Sequence, residues 1–271
     1  MGTERVYAIA MMKDEADIVA QSVGWMLTQV DEVVVLDNGS TDGTREILED
    51  LEVTVLDDRE VAYHQSEKMT MLAGMCQDNG ATWVVPFDAD EIHIGTSGRL
   101  ADTLSALPPD VLISEAALFD HVPTGLDPLG APPVNRIQYR RAGQAPLRKI
   151  AVRPANGMTI HQGNHSATFA GNRHPKTVTN VAQVRHFPYR SVEQFVSKVR
   201  NGAAAYAASN LPESVGAHWR QYGQILEARG EEGIAEIFHT WFYREDPTVE
   251  HVIGDERQAA LVLDPCPLPK L

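Results

Sequence analysis

The chain has 271 residues, of which 43% are hydrophobic, so it is long enough to bury a sizeable core and is not expected to be disordered. Its formal net charge of −14 argues against nucleic acid or an anionic membrane surface as the main partner, because phosphate groups are bound by clustered Lys and Arg. An anionic small ligand would need a local concentration of positive charge.

Cysteine usage and hydropathy favour a cytoplasmic protein. The two cysteines, Cys76 and Cys266, stand far apart and match neither a disulfide framework nor a zinc site. No apolar run approaches the ~18 residues that a membrane span requires, and the first residues carry charge where a signal peptide would be apolar. We expect a cytoplasmic location and no transmembrane segment, and the oligomeric state is left open.

Strands and helices alternate over the first part of the sequence. Apolar and β-branched runs predict strands at 6–10, 32–36, 53–56 and 82–87, and helical periodicity predicts helices at 14–27, 44–51 and 66–76. This alternation indicates an α/β fold with a mostly parallel, Rossmann-like sheet that is covered by helices on both faces. Ligands of such folds bind beyond the carboxyl ends of the strands.

The regular alternation of predicted strands and helices ends after Leu107. A strand is predicted at 111–119, a Pro- and Gly-rich loop at 123–133, and helical spacing begins at Ser191. We therefore predict one α/β domain over residues 1–190, with halves at 1–107 and 108–190. A C-terminal helical extension is expected over residues 191–271.

An acidic segment, Asp88-Ala89-Asp90-Glu91, follows the strand at 82–87. Alternate residues of an extended chain project to one side, so Asp88 and Asp90 could both ligate one hard cation where the sheet ends. Mg²⁺ or Mn²⁺ suits such a site and keeps positions open for diphosphate oxygens. Taken alone, this short motif is also typical of a solvated loop end.

A second polar segment, from Asp37 to Thr44, follows the strand at 32–36 and reads DNGSTDGT. Gly39 and Gly43 permit tight backbone geometry, and Asp37 at the strand end can accept hydrogen bonds from a nucleobase or a ribose. By itself this segment equally fits a capped turn between a strand and a helix.

Together with Lys13-Asp14-Glu15-Ala16 after the first strand, these motifs resemble those of the family 2 glycosyltransferases, in order and over roughly residues 5–93. The resemblance implies a GT-A fold, in which residues 1–107 bind a nucleoside-diphosphate sugar and residues 108–190 form the acceptor half. It also implies a metal-dependent hexosyltransferase-type reaction with Mn²⁺ or Mg²⁺. The absence of an apolar run long enough to span a membrane favours a soluble small-molecule, saccharide or peptide acceptor.

The same resemblance implies roles for particular residues. Met11 and Glu15 would border the base or ribose, and Asp37 would contact the nucleobase. Asp88 and Asp90 would serve the ribose-diphosphate and the metal. Lys68, on the helix before the acidic segment, is the candidate for an approach to the diphosphate.

The second half is similar to a subgroup of family 2 and to family 92 relatives. The segments that carry this similarity are 149–154 (KIAVRP), 161–165 and 186–191 (HFPYRS). By this resemblance, His165 or His186 would complete the metal shell or touch the diphosphate, since a neutral imidazole can ligate Mn²⁺ or donate a hydrogen bond. Each could instead be a histidine held within a loop.

An inverting transfer, which the family 2 resemblance implies, needs a base to take a proton from the acceptor. Asp120, near the end of the strand at 111–119, is the first candidate, and Glu115 and Glu91 are alternatives. No motif decides among them.

Two other functions fit parts of the pattern. A haloacid dehalogenase-like phosphatase also carries its nucleophile in a DxD segment after a strand, but the later acidic pair with a Lys is not recognisable. A non-catalytic nucleotide-sugar or carbohydrate-binding protein would keep the fold without turnover. Retention of both Asp88 and Asp90 favours an enzyme.

Overall fold

A computed structural model describes residues 4–268 and has a mixed α/β architecture. The strands are β1 (Val6–Met12), β2 (Glu32–Asp37), β3 (Thr54–Asp57), β4 (Trp83–Pro86), β5 (Glu91–Gly95), β6 (Ile113–Asp120), β7 (Tyr139–Arg140), β8 (Arg148–Val152), β9 (Met158–Ile160), β10 (Ala167–Phe169), β11 (Thr177–His186), β12 (His251–Ile253), β13 (Glu256–Gln258) and β14 (Val262–Leu263). The helices are α1 (Val19–Gln29), α2 (Thr44–Asp50), α3 (Gln65–Asp78), α4 (Leu100–Ser105), α5 (Pro133–Arg136), α6 (Val192–Ala208) and α7 (Ala217–Ile237).

The chain divides into two compact units. Unit 1 comprises Met1–Arg59, His64–Phe119 and Gln144–His186, and unit 2 comprises Glu60–Tyr63, Asp120–Gly143 and Phe187–Leu271. The large sheet lies in unit 1, whereas α5, α6 and α7 belong to unit 2. The domain boundaries predicted at residues 107 and 190 stay predictions.

The large sheet has eight strands in the order β3-β2-β1-β4-β8-β6-β11-β5. The first four are parallel: Ala8 of β1 pairs in register with Val33 of β2 and Val85 of β4, and Val35 pairs with Val55 of β3. Because β1 is flanked by β2 on one side and β4 on the other, the strand order reverses there. A ligand crevice is expected beyond the carboxyl ends of β1 and β4.

The other strands of this sheet extend it in antiparallel fashion. β8 pairs with β4 and with β6, and β11 pairs with β5 so that His186 stands opposite Glu91. The parallel first half and the antiparallel additions confirm the α/β fold class that the sequence predicts. Pro86 is the last residue of β4, where its missing N–H donor is tolerated.

Helices cover both faces of the sheet. Val6, Ala8 and Ala10 of β1 belong to a buried cluster that includes residues of α1, α2 and α4. The alternate residues Tyr7 and Ile9 belong to a second cluster with α3. Since successive side chains of a strand point to opposite faces, β1 contributes to two hydrophobic layers and is itself central.

Unit 2 is built around the helices α6 and α7. Ser191 caps α6, its hydroxyl accepting a hydrogen bond from the Gln194 amide at 3.2 Å. Phe195 and Val199 of α6 pack with Ile234 of α7 and with Phe238, which lies in a π-helical turn. The helical spacing predicted from Ser191 is confirmed over α6 and α7, whereas the later part of the expected helical extension contains the strands β12, β13 and β14.

The first helix begins later than its periodicity predicts. The sequence favours a helix from Asp14, but α1 starts at Val19 and Asp14 has a positive φ of 52°. Residues 13–16 are instead held as a loop by hydrogen bonds to the segment that follows β2. Tertiary contacts therefore override local helix propensity at this point.

Among residues 4–268, no helix combines the length and the apolar composition needed to cross a bilayer.

Replacement of Leu72 by Ala tests the packing of α3 on the sheet. Leu72 is fully buried, so we expect a loss of about 2–5 kcal/mol in the free energy of unfolding, from lost burial and the cavity left behind. Its neighbour Met71 is 50% exposed, so Met71→Ala should change stability by no more than about 0.5 kcal/mol. Urea denaturation of both variants measures the difference, and equal midpoints would contradict this packing.

Candidate active site

Two polar loops lie together at the carboxyl edge of the parallel strands. Asp14 accepts a hydrogen bond from the Thr41 amide at 2.7 Å, and its own amide donates to the Ser40 hydroxyl at 3.1 Å. The Glu15 amide donates to the Thr44 hydroxyl at 2.8 Å. Gly39 and Gly43, with φ of 71° and 98°, allow the tight path of the second loop. The segment from Lys13 to Ala16 and the segment from Asp37 to Thr44 thus form one hydrogen-bonded structure.

A cleft of about 590 Å³ opens beside these loops. Its lining residues carry mixed charge: Lys13, Asp37, Asn38, Gly39, Ser40, Arg45, Asp57 and Arg59. Of the residues predicted to hold the donor, the described lining includes Asp37 but not Met11, Glu15, Lys68 or Asp88. Cationic side chains in this cleft supply the local positive charge that an anionic ligand needs in an acidic chain.

Asp37 is the most buried acid of this cleft, with 3% of its surface exposed. One of its carboxylate oxygens accepts a hydrogen bond from the Ser40 amide at 3.1 Å, and the other lies 3.6 Å from a guanidinium nitrogen of Arg45. Arg45 also forms ion pairs with Asp57 and, at 2.8 Å, with Glu49. The Asp37 carboxylate is therefore oriented before any ligand arrives.

Lys68 is engaged by a carboxylate of the protein. Its ammonium forms an ion pair with Asp58, and the same Asp58 oxygen accepts a hydrogen bond from the Asn38 amide group at 3.0 Å. Both Lys68 and Asp58 are largely buried, with side-chain exposures of 12% and 14%. Asp58 therefore joins the loop after β3 to the loop after β2, and Lys68 links this pair of loops to α3.

We expected the acidic segment after β4 to be extended, but it forms a turn. The Glu91 amide donates a hydrogen bond to the Asp88 carbonyl at 3.1 Å, and β5 begins at Glu91. Asp88 and Asp90 have different surroundings as a result. The extended backbone from which we expected the two carboxylates to align is therefore absent, and the joint role of Asp88 and Asp90 at a metal stays a prediction.

Asp88 is held by three side chains from elsewhere in the chain. Its carboxylate lies 2.5 Å from the Lys149 ammonium and accepts hydrogen bonds from the amide groups of Asn164 at 3.1 Å and Gln65 at 3.4 Å. Burial raises the pKa of the Asp88 carboxyl, opposed by the charge of Lys149. Asp88 is thus a member of a polar network inside unit 1.

Lys149 is the centre of this network. Its ammonium, on a side chain that is 3% exposed, contacts Asp88 at 2.5 Å, Glu91 at 2.7 Å and the Gly163 carbonyl at 2.8 Å. These contacts use all three of its donors. Burial opposes the charged form, but the two carboxylates outweigh it and raise the pKa of Lys149 above its ordinary value.

Glu91 is fully buried on the other side of the same ammonium. Burial acts to raise its pKa, but Lys149 and the hydrogen-bonded His93 ring, 3.2 Å away, together lower the pKa of Glu91 to about 2. The structure therefore keeps a carboxylate charged at a position with no exposed surface. Such a group is poorly suited to accept a proton from an acceptor, since a general base works best with a pKa near the operating pH.

A potential metal-binding cluster consists of Asp90, Glu91 and His186, whose ligand atoms all lie within 4.8 Å of one another. The pairing of β5 with β11 creates it, because His186 stands opposite Glu91 in register. The imidazole Nε2 of His186 lies 3.7 Å from an Asp90 oxygen. Asp90 and His186 are the predicted ligands that the structure brings together, and Asp88 and His165 are not members of this cluster.

His165 lies within the Lys149 network instead. Its Nδ1 is 2.7 Å from the Arg148 carbonyl, so that nitrogen carries the proton and donates. Burial, with the nearby charge of Lys149, lowers the pKa of His165. A neutral imidazole in this position packs beside Gly163, where an added Cβ would lie 2.5 Å from the ring.

The three candidate bases have distinct surroundings. Glu115, in the middle of β6, lies 3.8 Å from a guanidinium nitrogen of Arg148. Asp120 is the last residue of β6, half-buried, and its carbonyl accepts a hydrogen bond from the Arg141 amide at 2.9 Å. Glu91 is enclosed as described above.

Sequence reasoning missed the residues that organise the acids. Lys149 was noted in the KIAVRP segment without a role, and Gln65 and Asn164 were not singled out. A lone Lys in the otherwise apolar run of β8 was the available signal, because a buried lysine requires partners of opposite charge. The sequence carries no comparable signal for Asn164, because the position of this residue depends on the turn at Gly163.

The profile of the family described as "Glycosyl transferase family 2" matches residues 8–159. This match spans more than half of the chain, which therefore belongs to glycosyl transferase family 2. Membership in this family decides against the phosphatase alternative. The similarity to family 92 stays a prediction. No curated protein matches the chain.

Solved structures show weaker likeness. Glucosyl-3-phosphoglycerate synthase from Mycobacterium tuberculosis, solved with Mn²⁺, uridine diphosphate and phosphoglyceric acid, is 18% identical, with a TM-score of 0.34, over 42% of this chain and 43% of its own. A mycobacterial protein is 15% identical over 78% of this chain and 76% of its own, with a TM-score of 0.37. The chain thus spans less than half of the synthase, and at these scores the likeness carries no conclusion about substrate or mechanism.

Removal of the Lys149 ammonium should destabilise unit 1 strongly. In Lys149→Met the carboxylates of Asp88 and Glu91 lose their shared cation, and a broken buried ion pair costs about 3–5 kcal/mol. Lys176→Met is the matched control, since Lys176 and its partner Asp110 are more than half exposed and solvent screens such a pair, so its loss should change stability little. Chemical denaturation compares the two, and similar losses would show that the Lys149 network is not structural.

Proposed function

We propose that this protein catalyses a metal-dependent, inverting transfer of a hexose from a nucleoside-diphosphate sugar to a small-molecule, saccharide or peptide acceptor. The observation that carries the proposal is the Asp90, Glu91 and His186 cluster, which follows β4 at the strand edge where GT-A folds bind their ligands. The cleft that contains Asp37 opens at the same edge, after β2.

Asp37 is the proposed contact to the nucleobase or ribose. Two of its interactions, with Ser40 and Arg45, fix the orientation of the carboxylate, and its oxygens keep capacity for further hydrogen bonds. Lys13, Arg45 and Arg59 line the same cleft and would favour an anionic ligand there. Met11 and Glu15 stay candidates for the border of this site.

The donor set of the cluster fits Mn²⁺ or Mg²⁺, because carboxylate oxygens suit both ions and imidazole suits Mn²⁺. Asp90 and His186 would hold the ion, with Glu91 behind them. Lys149 balances the charges of Asp88 and Glu91, so the cluster can form without three unpaired carboxylates. When bound, the ion would neutralise charge that builds on the departing nucleoside diphosphate.

Lys149 and its partners would position the acidic turn. Asp88, anchored by Lys149, Asn164 and Gln65, fixes one end of the turn, and the hydrogen bond from the Glu91 amide closes it. Asp90 lies between these anchors. A rigid turn keeps its carboxylate oriented without a loss of conformational freedom on binding.

Asp120 is the proposed base. Glu91 has a pKa near 2 and no exposed surface, and Glu115 is paired with Arg148 along β6. Asp120 stands at the carboxyl end of its strand and is half-buried. It would take the acceptor proton as the acceptor oxygen attacks the anomeric carbon from the face opposite the diphosphate.

Asp90→Asn tests the metal proposal. A neutral amide is a weaker ligand, and the lost transition-state stabilisation should lower kcat by about 100-fold or more while the melting temperature changes little. The assay follows nucleoside diphosphate release from UDP-, GDP- and dTDP-sugars with and without Mn²⁺. Asp110→Asn, an exposed acid paired with Lys176, is the control and should act like the native protein.

Two results would reject metal dependence: full activity of Asp90→Asn, or full activity of the native protein in excess chelator. Absence of diphosphate release with every donor in the panel would reject the proposed donor class.

Asp37→Ala tests the donor cleft. The variant loses the hydrogen bonds that the donor substrate would make to the charged Asp37 carboxylate. The donor KM should therefore rise by about tenfold, with a smaller effect on kcat, because this contact is already made in the ground state. Steady-state kinetics with varied donor measure both constants, and the Asp110→Asn control again applies. An unchanged donor KM would mean that Asp37 only shapes the turn at Ser40.

A further inference from the structure

Two arginines of unit 2 converge on one neutral oxygen. Arg141, just after β7, donates from Nη1 to the side-chain carbonyl of Gln258 at 3.0 Å. Arg244 donates from Nη2 to the same Gln258 oxygen. The two guanidinium groups are therefore neighbours, and each donates a hydrogen bond to an amide oxygen. A carboxylate would be a stronger acceptor for both.

Neither of these arginines has an acidic partner within residues 4–268. The adjacent Arg140 illustrates the usual solution, since its Nε lies 2.5 Å from a carboxylate oxygen of Asp264. Arg153 in unit 1 is likewise paired with Glu4 at 3.1 Å. Arg141 and Arg244 thus differ from Arg140 and Arg153, because no acid lies beside them in the described part of the chain.

Arg244 is also buried, with 3% of its surface exposed. Its Nη1 donates to the Tyr243 carbonyl at 2.9 Å, but its Nε has no hydrogen-bond partner in the described part of the chain. Burial, and then the like charge of Arg141, lower the pKa of Arg244 to about 10. A buried, incompletely paired cation beside a second cation is costly unless an anion completes the site.

We propose that Arg141 and Arg244 form an oxyanion-binding site, in which a phosphate or carboxylate group replaces the Gln258 amide as their shared acceptor. The planar guanidinium groups match the geometry of such anions. None of these residues lines the cleft that contains Asp37, so this site is separate in composition from the proposed donor site.

The anion could be carried by the acceptor or could be free in solution. Use of the site by an acceptor rests on the proposed function, whereas anion binding itself does not depend on turnover.

Inorganic phosphate is the probe for the site. We expect a saturable rise in melting temperature with phosphate that sodium chloride of equal ionic strength does not give, and a shift of the Arg244 Nε–Hε resonance. Donor-site binding is suppressed by adding the nucleoside diphosphate that stabilises the protein most, or, if none does, by using Arg45→Gln as the background.

Two variants locate the binding. Arg141→Gln should weaken phosphate binding at least about tenfold, and Arg141→Lys should restore part of it. Gln258→Glu places a carboxylate between the guanidinium groups, so it should raise the melting temperature without phosphate and abolish the response to phosphate. Arg173→Gln, at an exposed arginine, is the matched control and should bind phosphate as the native protein does.

Absence of a phosphate-specific response in the native protein would overturn the proposal, as would native phosphate binding by both Arg141→Gln and Gln258→Glu. These outcomes do not depend on transferase activity. A protein that binds phosphate here but releases no nucleoside diphosphate from any donor would retain this site and lose the proposed function.

A second measurement identifies the source of the anion. Nucleoside diphosphate release is compared between a pool of sugar phosphates and a pool of the same sugars without phosphate. A preference for the phosphorylated pool, with an acceptor KM raised about tenfold or more in Arg141→Gln, assigns the site to the acceptor. No preference, with turnover altered by inorganic phosphate itself, assigns it to a free anion.

Discussion

The buried ammonium of Lys149 determines how the acidic edge of the sheet is arranged. It compensates Asp88 and Glu91 at once, on a strand that the antiparallel half of the sheet brings against β4. Without this cation, three acids within four residues would repel one another and take up protons. With it, Asp88 and Glu91 act as anchors, and Asp90 is left as the carboxylate that stands beside His186.

This arrangement separates two tasks that a DxD motif is expected to combine. One acid, Asp88, joins an internal network with Asn164 and Gln65, and the other, Asp90, joins a cluster that could hold a cation. The interlocked loops after β1 and β2 add a preorganised cleft with its own positive charge. The proposed donor and metal sites therefore rest on side chains whose orientations are already fixed by the fold.

Several elements could be predicted because their signals are local. The strands β1, β2, β3 and β4 follow from short β-branched runs, and the positions of Asp37 and Asp90 at the sheet edge follow from the alternation of strands and helices. The start of α1 could not be predicted, because hydrogen bonds from Asp14 and Glu15 to a loop 26 and 29 residues later hold that segment out of the helix. The shape of the Asp88–Asp90 turn depends likewise on Lys149, which lies 61 residues away from Asp88.

By itself the sequence determined the α/β class, the family resemblance and the edge of the sheet where the chemistry should occur, because hydrophobic periodicity and turn motifs are encoded in neighbouring residues. Tertiary structure alone decided which acids are neutralised and which stand next to an imidazole. It also placed Arg141 and Arg244 on one Gln258 oxygen, although the two arginines are far apart in the sequence. Charge compensation acts over a few ångströms in space, and strand pairing, not sequence distance, sets which charges come that close.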